Sequence, residues 1–526
     1  MASVASRIRP LPSVRSLPSS FVLPAAVLLV LLVASFVLRT DSLGESLWMD
    51  EGLSIGIASQ PLFDIPGVLQ VDGSPPFYYM LLSVWMDLVG NGPGETQALS
   101  VAIALVSVPG GLWAGWSLFG RRAGLICAGL CAVNPFLTQY AQETRMYSLM
   151  LVMSLLATAA FLHVFAFGRR RYLPLFFVLL ALMLYTHNWG LFLAAGLVCA
   201  LVPCWYVSEN RHSFWRDALI GFGGAGLLYL PWLPTLLHQV QHTGAPWLNP
   251  PNFGAPIQIS KSLLGGGTPT VALVLAGGSG LAALIGRRVE DKERTAVLSA
   301  AVVVLATLAV AWLVSQVSPA WTTRYLGVLL GPMLLIAALG LARAGTLGLV
   351  ALAIILVIWA IPRSYGLENK SNASDLRKDA VPELNEGDLV LSMQPEQGPL
   401  LAYHLEDLGG APKLQFGSPL GLMENDRVMD WTDGFERMED AAPATNLTPL
   451  LDKLPRGGRV LIVHPVTARA DDWDAPWTQL VRRRSAQWGA ALAADERFES
   501  LGPVPRTYRR ATRIGVRGVL YEKKTG

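Results

Sequence analysis

The chain has 526 residues, of which 52% are hydrophobic and 15% charged, with a formal net charge of +3 and a mean hydropathy of +0.42. A typical soluble protein carries about 25% charged residues, so the composition excludes an ordinary soluble enzyme, a disordered chain and a basic nucleic-acid-binding protein. The four cysteines (Cys127, Cys131, Cys199, Cys204) all fall in apolar runs, with neither a disulfide framework nor a zinc spacing.

Charge divides the chain near Ser364. Residues 1–364 carry 20 Lys/Arg and 14 Asp/Glu, while residues 365–526 carry 21 and 24. The expected organisation is a cytoplasmic segment 1–18, a membrane domain 19–364 and an extracytoplasmic mixed α/β domain 365–526. A spanning helix needs about 20 mainly apolar residues. Eleven spans are expected, near 19–38, 97–118, 123–140, 147–168, 172–187, 189–208, 217–237, 269–286, 295–315, 324–342 and 346–363. With the N-terminus inside, fifteen Lys/Arg of this half fall on inner segments and five (Arg39, Arg145, Lys261, Arg324, Arg363) on outer ones. That bias requires residues 75–90 to lie in the outer interface rather than cross. An odd number of spans then leaves the polar tail outside.

The first outer loop, 39–96, concentrates the acids of this half. Asp50-Glu51 follows Leu47-Trp48-Met49, and Asp50 suits the cap of an interfacial helix of about 51–60. Neighbouring helical residues point about 100° apart, so one carboxylate is expected to do chemistry and the other to support it. Gly52-Leu-Ser54-Ile-Gly56 matches a hydrolase pattern by letters but lacks the preceding strand, so no nucleophile is assigned. Asp72-Gly-Ser-Pro-Pro-Phe-Tyr-Tyr sets Asp72 before an abrupt, proline-defined helix start.

Further along, Glu143-Thr-Arg145-Met-Tyr147 places a cation at an outer helix end, where it wants an anionic partner. Glu143 or a bound phosphate would serve. Thr323-Arg324-Tyr325 has the same form, and Lys261 is a third outer cation. Together the three suit a phosphate head group, whereas each alone suits a snorkelling interfacial side chain. His187 lies in an outer turn, Tyr185-Thr-His-Asn-Trp189. His238 and His242 have the i,i+4 spacing of a helical metal pair, without a paired acid nearby in sequence. His163 reads as a mid-span packing residue. In the tail, 388–392, 459–464 and 515–521 read as strands and 485–492 as a helix. Its tryptophans (Trp431, Trp473, Trp477, Trp488) suit core packing better than sugar stacking. The tail either shapes an acceptor site over the outer face or acts as a stabilising cap.

The succession Asp50-Glu51, Asp72-Gly-Ser-Pro-Pro-Phe-Tyr-Tyr, Glu143-Thr-Arg145-Met-Tyr147, Tyr185-Thr-His187 and Thr323-Arg324-Tyr325 resembles the GT-C glycosyltransferases over about residues 20–345. The branch it resembles is the family-39-type: protein O-mannosyltransferases, the lipid A aminoarabinose transferase and their bacterial relatives. The resemblance implies a polyprenyl-phosphate sugar donor, a glycan, lipid or protein acceptor approaching from outside, and inverting transfer. Asp50 matches the family's proposed outer-loop base. Ser74 stands where relatives commonly carry His or Lys before Pro-Pro. The expected roles are catalysis by Asp50 with Glu51, phosphate binding by Arg145, Arg324, Lys261, Tyr147 and Tyr325, and sugar contacts from Asp72, Glu143, His187 and His242. Some members carry a metal-binding acid and histidine, and Asp72 and His242 occupy roughly similar places, so a divalent metal is left open. The competing reading is a transporter or flippase for a lipid-linked sugar. It is disfavoured because no inverted repeat is found and few ionisable residues fall inside spans.

Overall fold

The computed structural model describes residues 19–286, 291–361, 365–467 and 474–524. The expected segment 1–18, the boundary at Ser364, and Arg287, Arg288, Arg363 and Trp473 lie outside the described residues. The membrane half opens with α1 (Ser19–Arg39), α2 (Met49–Ala58), α3 (Ile65–Asp72), α4 (Phe77–Val89), α5 (Pro93–Phe119), α6 (Arg121–Val133), α7 (Pro135–Tyr140) and α8 (Tyr147–Phe165). Among the described residues, seven helical segments are long and apolar enough to cross a membrane by length and composition: Val22–Arg39, Pro93–Phe119, Tyr147–Phe165, Arg211–His242, Gly267–Leu284, Lys292–Val317 and Tyr325–Arg343. The other four expected spans are helical but shorter: α6 with α7, Leu173–Leu184, Gly190–Tyr206 and Gly345–Ala360. The chain is a multi-pass membrane protein.

The interruption between α6 and α7 has a local cause. Pro135 has no N–H, so the carbonyl of Cys131 loses its helical donor. Asn134 then starts α7 by accepting from the Leu137 N–H at 3.2 Å. Arg39, fully buried, supplies the missing donor at 2.6 Å and also bonds the Ala104 carbonyl at 2.8 Å. The last residue of α1 is thereby tied to α5 and α6. Arg39→Ala should leave a buried carbonyl without a donor and cost about 1–3 kcal/mol. The check is the thermal midpoint in detergent, and an unchanged midpoint would remove Arg39 from this role. His163, expected mid-span, instead sits in the last turn of α8, bonded to Ser117 at 2.8 Å and Arg169 at 3.0 Å.

The first loop differs from expectation at its start. The cap of α2 is Trp48, not Asp50. Glu51 reaches back to the Trp48 N–H at 3.3 Å, which leaves Asp50 in the first turn with its side chain free for other partners. Gly52 and Gly56 lie one turn apart on α2. A Cβ at Gly52 would meet the Leu400 Cβ at 2.6 Å, and one at Gly56 would collide with the Arg427 carbonyl. The two glycines thus let the C-terminal domain rest directly on α2, which explains the pattern that resembles a hydrolase motif.

That domain is built on a six-stranded sheet: β1 (Leu389–Ser392), β2 (Gln415–Ser418), β3 (Gly421–Leu422), β4 (Arg459–Thr467), β5 (Phe498–Val504) and β6 (Ile514–Lys523). The order is β3-β2-β1-β4-β6-β5. β1 runs parallel to β2 and β4, while β6 is antiparallel to both β4 and β5. The helix Pro476–Ala493 contains the expected 485–492. α2 and the two residues before it belong to two of the domain's apolar clusters. Leu47 and Ile55 join Leu400, Leu461 and Val516. Trp48, Met49 and Leu53 join Met429, Trp431, Trp477 and Ile514.

Candidate active site

A partly open cavity of about 110 Å³ lies where α2, α3, the segment before α8, the segment before Tyr325 and the sheet domain meet. Its wall includes Asp50, Asp72, Arg145, Arg324 and Tyr325 from the membrane half. It also includes Gln394, Glu396, Trp431 and Trp477 from the sheet domain, with Trp247 from the loop after His242. Residues 274 positions apart, Asp50 and Arg324, form an ion pair at 2.7 Å. The approach is off the hydrogen-bonding axis, so Asp50 Oδ2 accepts no aligned hydrogen bond among the described residues. Arg145 donates through Nη1 to the Asp50 carbonyl at 3.0 Å and to the Ser54 hydroxyl at 3.1 Å. Ser54 in turn donates to the same carbonyl at 3.0 Å. The Nε groups of Arg145 and Arg324 are buried without a hydrogen-bonding partner among the described residues.

Glu51 points away from the cavity. It is fully buried, pairs with the equally buried Lys370 at 2.6 Å, and accepts from the Thr144 N–H at 2.9 Å and Gln97 at 3.2 Å. Glu143 pairs not with Arg145 but with Arg513. The short chain path Glu143-Thr-Arg145 turns the two side chains to different neighbours, and Arg145 bonds α2 through Nη1. Burial alone would raise the Glu143 carboxyl, and the Arg513 guanidinium outweighs it to hold the group below its usual range. Arg513 also lies 4.2 Å from the Trp48 ring centroid, with Arg324 at 5.7 Å from the same ring.

Behind the cavity wall is an aromatic layer. Tyr147 stands 6.3 Å from Tyr325, and His187 stands 4.6 Å from Tyr325. His187 Nδ1 accepts from the Trp189 N–H at 3.1 Å. Burial, then the charges of Arg145 and Arg324, push the imidazole down to about 3, so at neutral pH it is uncharged. Asp72 and Glu396 shift the other way. Burial raises both carboxyls, opposed at Asp72 by Ser74 and Arg145 and at Glu396 by Gln394 and Trp477.

Two expected members lie elsewhere. Lys261 lines a separate groove of about 690 Å³ with Tyr140, Thr323 and Tyr365, and Thr323 is the chain neighbour of Arg324. His242 is bound to Asp433 of the sheet domain at 3.0 Å, so it docks that domain instead of facing the cavity. No cluster of three or more His, Cys, Asp or Glu suited to a metal occurs among the described residues. Glu396, Lys370 and Arg513 are the participants that sequence reading missed. Trp431 and Trp477, assigned to core packing, do pack, but on the cavity's edge.

No protein-family model matches the chain, and no curated protein matches it in sequence. Its structure is similar to ArnT from Cupriavidus metallidurans in the apo state, at TM-score 0.58 and 12% identity over 95% of this chain and 98% of that one. It is similar to the oligosaccharyltransferase AglB from Archaeoglobus fulgidus, solved with an inhibitory peptide and a dolichol-phosphate, at TM-score 0.53 and 12% identity over 84% and 69%. It is also similar to the arabinofuranosyltransferase AftD from Mycobacteria, at TM-score 0.53 and 13% identity over 97% and 40%. Another structure of ArnT holds undecaprenyl phosphate. With a helical membrane half, a first loop of short helices and a C-terminal sheet domain, the chain has the GT-C fold of membrane glycosyltransferases.

Proposed function

We infer that the protein transfers a sugar, with inversion, from a polyprenyl-phosphate donor to a hydroxyl of an acceptor outside the cytoplasm. In this reading residues 19–364 form the catalytic membrane domain, and the first loop and residues 365–526 face outward. The observation that carries it is the convergence of Asp50, Arg145 and Arg324 on one buried cavity from three distant parts of the chain. Two guanidiniums line that cavity. Of its three carboxyl groups, Asp50 is paired with Arg324, and burial raises those of Asp72 and Glu396. A doubly donating guanidinium suits a phosphate.

Asp50 would take the proton of the acceptor hydroxyl as its oxygen bonds the anomeric carbon. The bond from that carbon to the donor phosphate breaks, and the polyprenyl phosphate leaves. Arg324 and Arg145 would bind the departing phosphate, where charge grows and where fixed donors in a water-poor site act most strongly. Glu51 would hold α2 in place. Lys261, in the neighbouring groove, would meet the lipid carrier on its approach, and Tyr147, Tyr325 and His187 would back the arginines. Glu143 would hold Arg513 over Trp48, and His242 would fix the sheet domain.

Purified protein with labelled undecaprenyl-phosphate sugars tests the reaction. Transfer to an acceptor, or hydrolysis in its absence, supports it. Movement of the intact lipid between leaflets without bond cleavage favours a flippase. Arg324→Ala should weaken binding of the lipid phosphate about tenfold to hundredfold, the worth of a hydrogen bond to a charged group. An unchanged affinity would take Arg324 out of the phosphate site.

A further inference from the structure

Glu396 is an unusual residue for a soluble-type domain. It is 4% exposed, lines the cavity, and is satisfied on one side only. Its Oε1 accepts from Gln394 at 2.7 Å and from the Trp477 indole N–H at 3.0 Å. Its Oε2 is buried without a partner among the described residues. A buried carboxyl oxygen left unpaired is costly, and native proteins keep such groups for a reason. Among the described residues no cation is paired with it.

Its surroundings have a definite chemistry. Trp431 and Trp477 stand 5.1 Å apart between ring centroids, and Trp247 lies 4.5 Å from Trp431. Indole rings beside a hydrogen-bonding carboxyl match a sugar, which presents apolar C–H faces and hydroxyl edges. The placement relative to Asp50 is also set. Gln394, which holds Glu396, contacts the sulfur of Met49 at 3.3 Å, and Met49 is the residue before Asp50.

Building on the transferase reading, we propose that the sheet domain supplies the sugar subsite: Glu396 Oε2 hydrogen-bonds a hydroxyl of the transferred sugar, whose apolar face lies on Trp431 and Trp477. Phosphate recognition then belongs to the membrane half and sugar recognition to the C-terminal domain. Burial biases Glu396 toward its neutral form, and a neutral amide of the same shape retains part of the function.

The test compares the affinity of bare undecaprenyl phosphate with those of undecaprenyl-phosphate glucose, mannose and arabinose. Wild-type protein should bind at least one sugar-bearing lipid more tightly than the bare one. Glu396→Ala should lose that increment, about tenfold or more for a buried hydrogen bond, and leave bare lipid phosphate unaffected. Glu396→Gln should keep part of it. Trp477→Phe keeps the aromatic packing and guards against loss of fold; it should reduce the increment by releasing Oε1. An equal loss for bare and sugar-bearing lipids would make Glu396 a structural residue and overturn the proposal, as would no loss in either. Wild-type protein that binds both lipids equally has no sugar subsite. Wild-type protein that binds neither overturns the donor reading itself.

Discussion

Asp50→Asn is expected to lower sugar transfer by about a hundred- to ten-thousandfold, the usual worth of a positioned proton acceptor, while the protein still binds its lipid donor. Asparagine matches aspartate in shape but cannot take the acceptor's proton. It also releases Arg324 from the ion pair at 2.7 Å, so the guanidinium becomes more available to a phosphate. Affinity for bare undecaprenyl phosphate should therefore hold or increase as turnover falls. Opposite movement of the two readouts separates lost chemistry from a damaged site. Single-turnover transfer and lipid-phosphate binding are the measurements. Turnover within a few-fold of wild type would remove Asp50 as the base, and a parallel loss of binding would make it a structural partner of Arg324.

The second large effect concerns stability. Glu51 and Lys370 have no solvent-exposed side-chain surface, and removing one member of a buried ion pair leaves an uncompensated charge costing about 3–5 kcal/mol. Glu51→Ala and Lys370→Ala should each lower the thermal midpoint and open the sheet domain to protease. Activity should fall with them, because α2 carries both Glu51 and Asp50. Replacing both partners with leucine should recover much of the stability, since a packed apolar pair avoids the desolvation penalty. Single variants as stable as wild type would show that the pair contributes nothing to docking.

Some of this site is legible in the sequence because its members break local rules. Arg145 and Arg324 are cations on the face that the Lys/Arg bias leaves nearly empty, and Asp50-Glu51 interrupts an apolar context. Such residues announce that they need partners, though not which ones. Glu143 and Arg145, two residues apart, offer themselves as a pair in sequence, yet each turns elsewhere. Lys261 and His242 share the expected outer location but miss the cavity, because a loop position specifies depth and not direction. Glu396 gives no signal at all: within a stretch of ordinary charge density, Pro395-Glu396-Gln397 resembles any exposed turn. Its burial depends on α2, some 340 residues earlier.

The same distinction holds for the fold. The strands β1, β4 and β6 show in runs such as Leu389-Val-Leu and Val460-Leu-Ile-Val. β5 contains Gly502 and Pro503 and lies at the sheet edge, where backbone pairing to β6 overrides weak local preference. The four shortened spans follow from local punctuation such as Asn134-Pro135, which an apolar window averages away.

The ion pair between Glu143 and Arg513 joins positions 370 residues apart. One partner precedes α8 and the other immediately precedes β6 of the sheet domain. Swinging that domain away would strand the buried Glu143 carboxylate without its counter-charge, a penalty of several kcal/mol on the usual scale of about 3–5 for a broken buried pair. The electrostatics therefore work as a latch that favours one seating of the sheet over the helices.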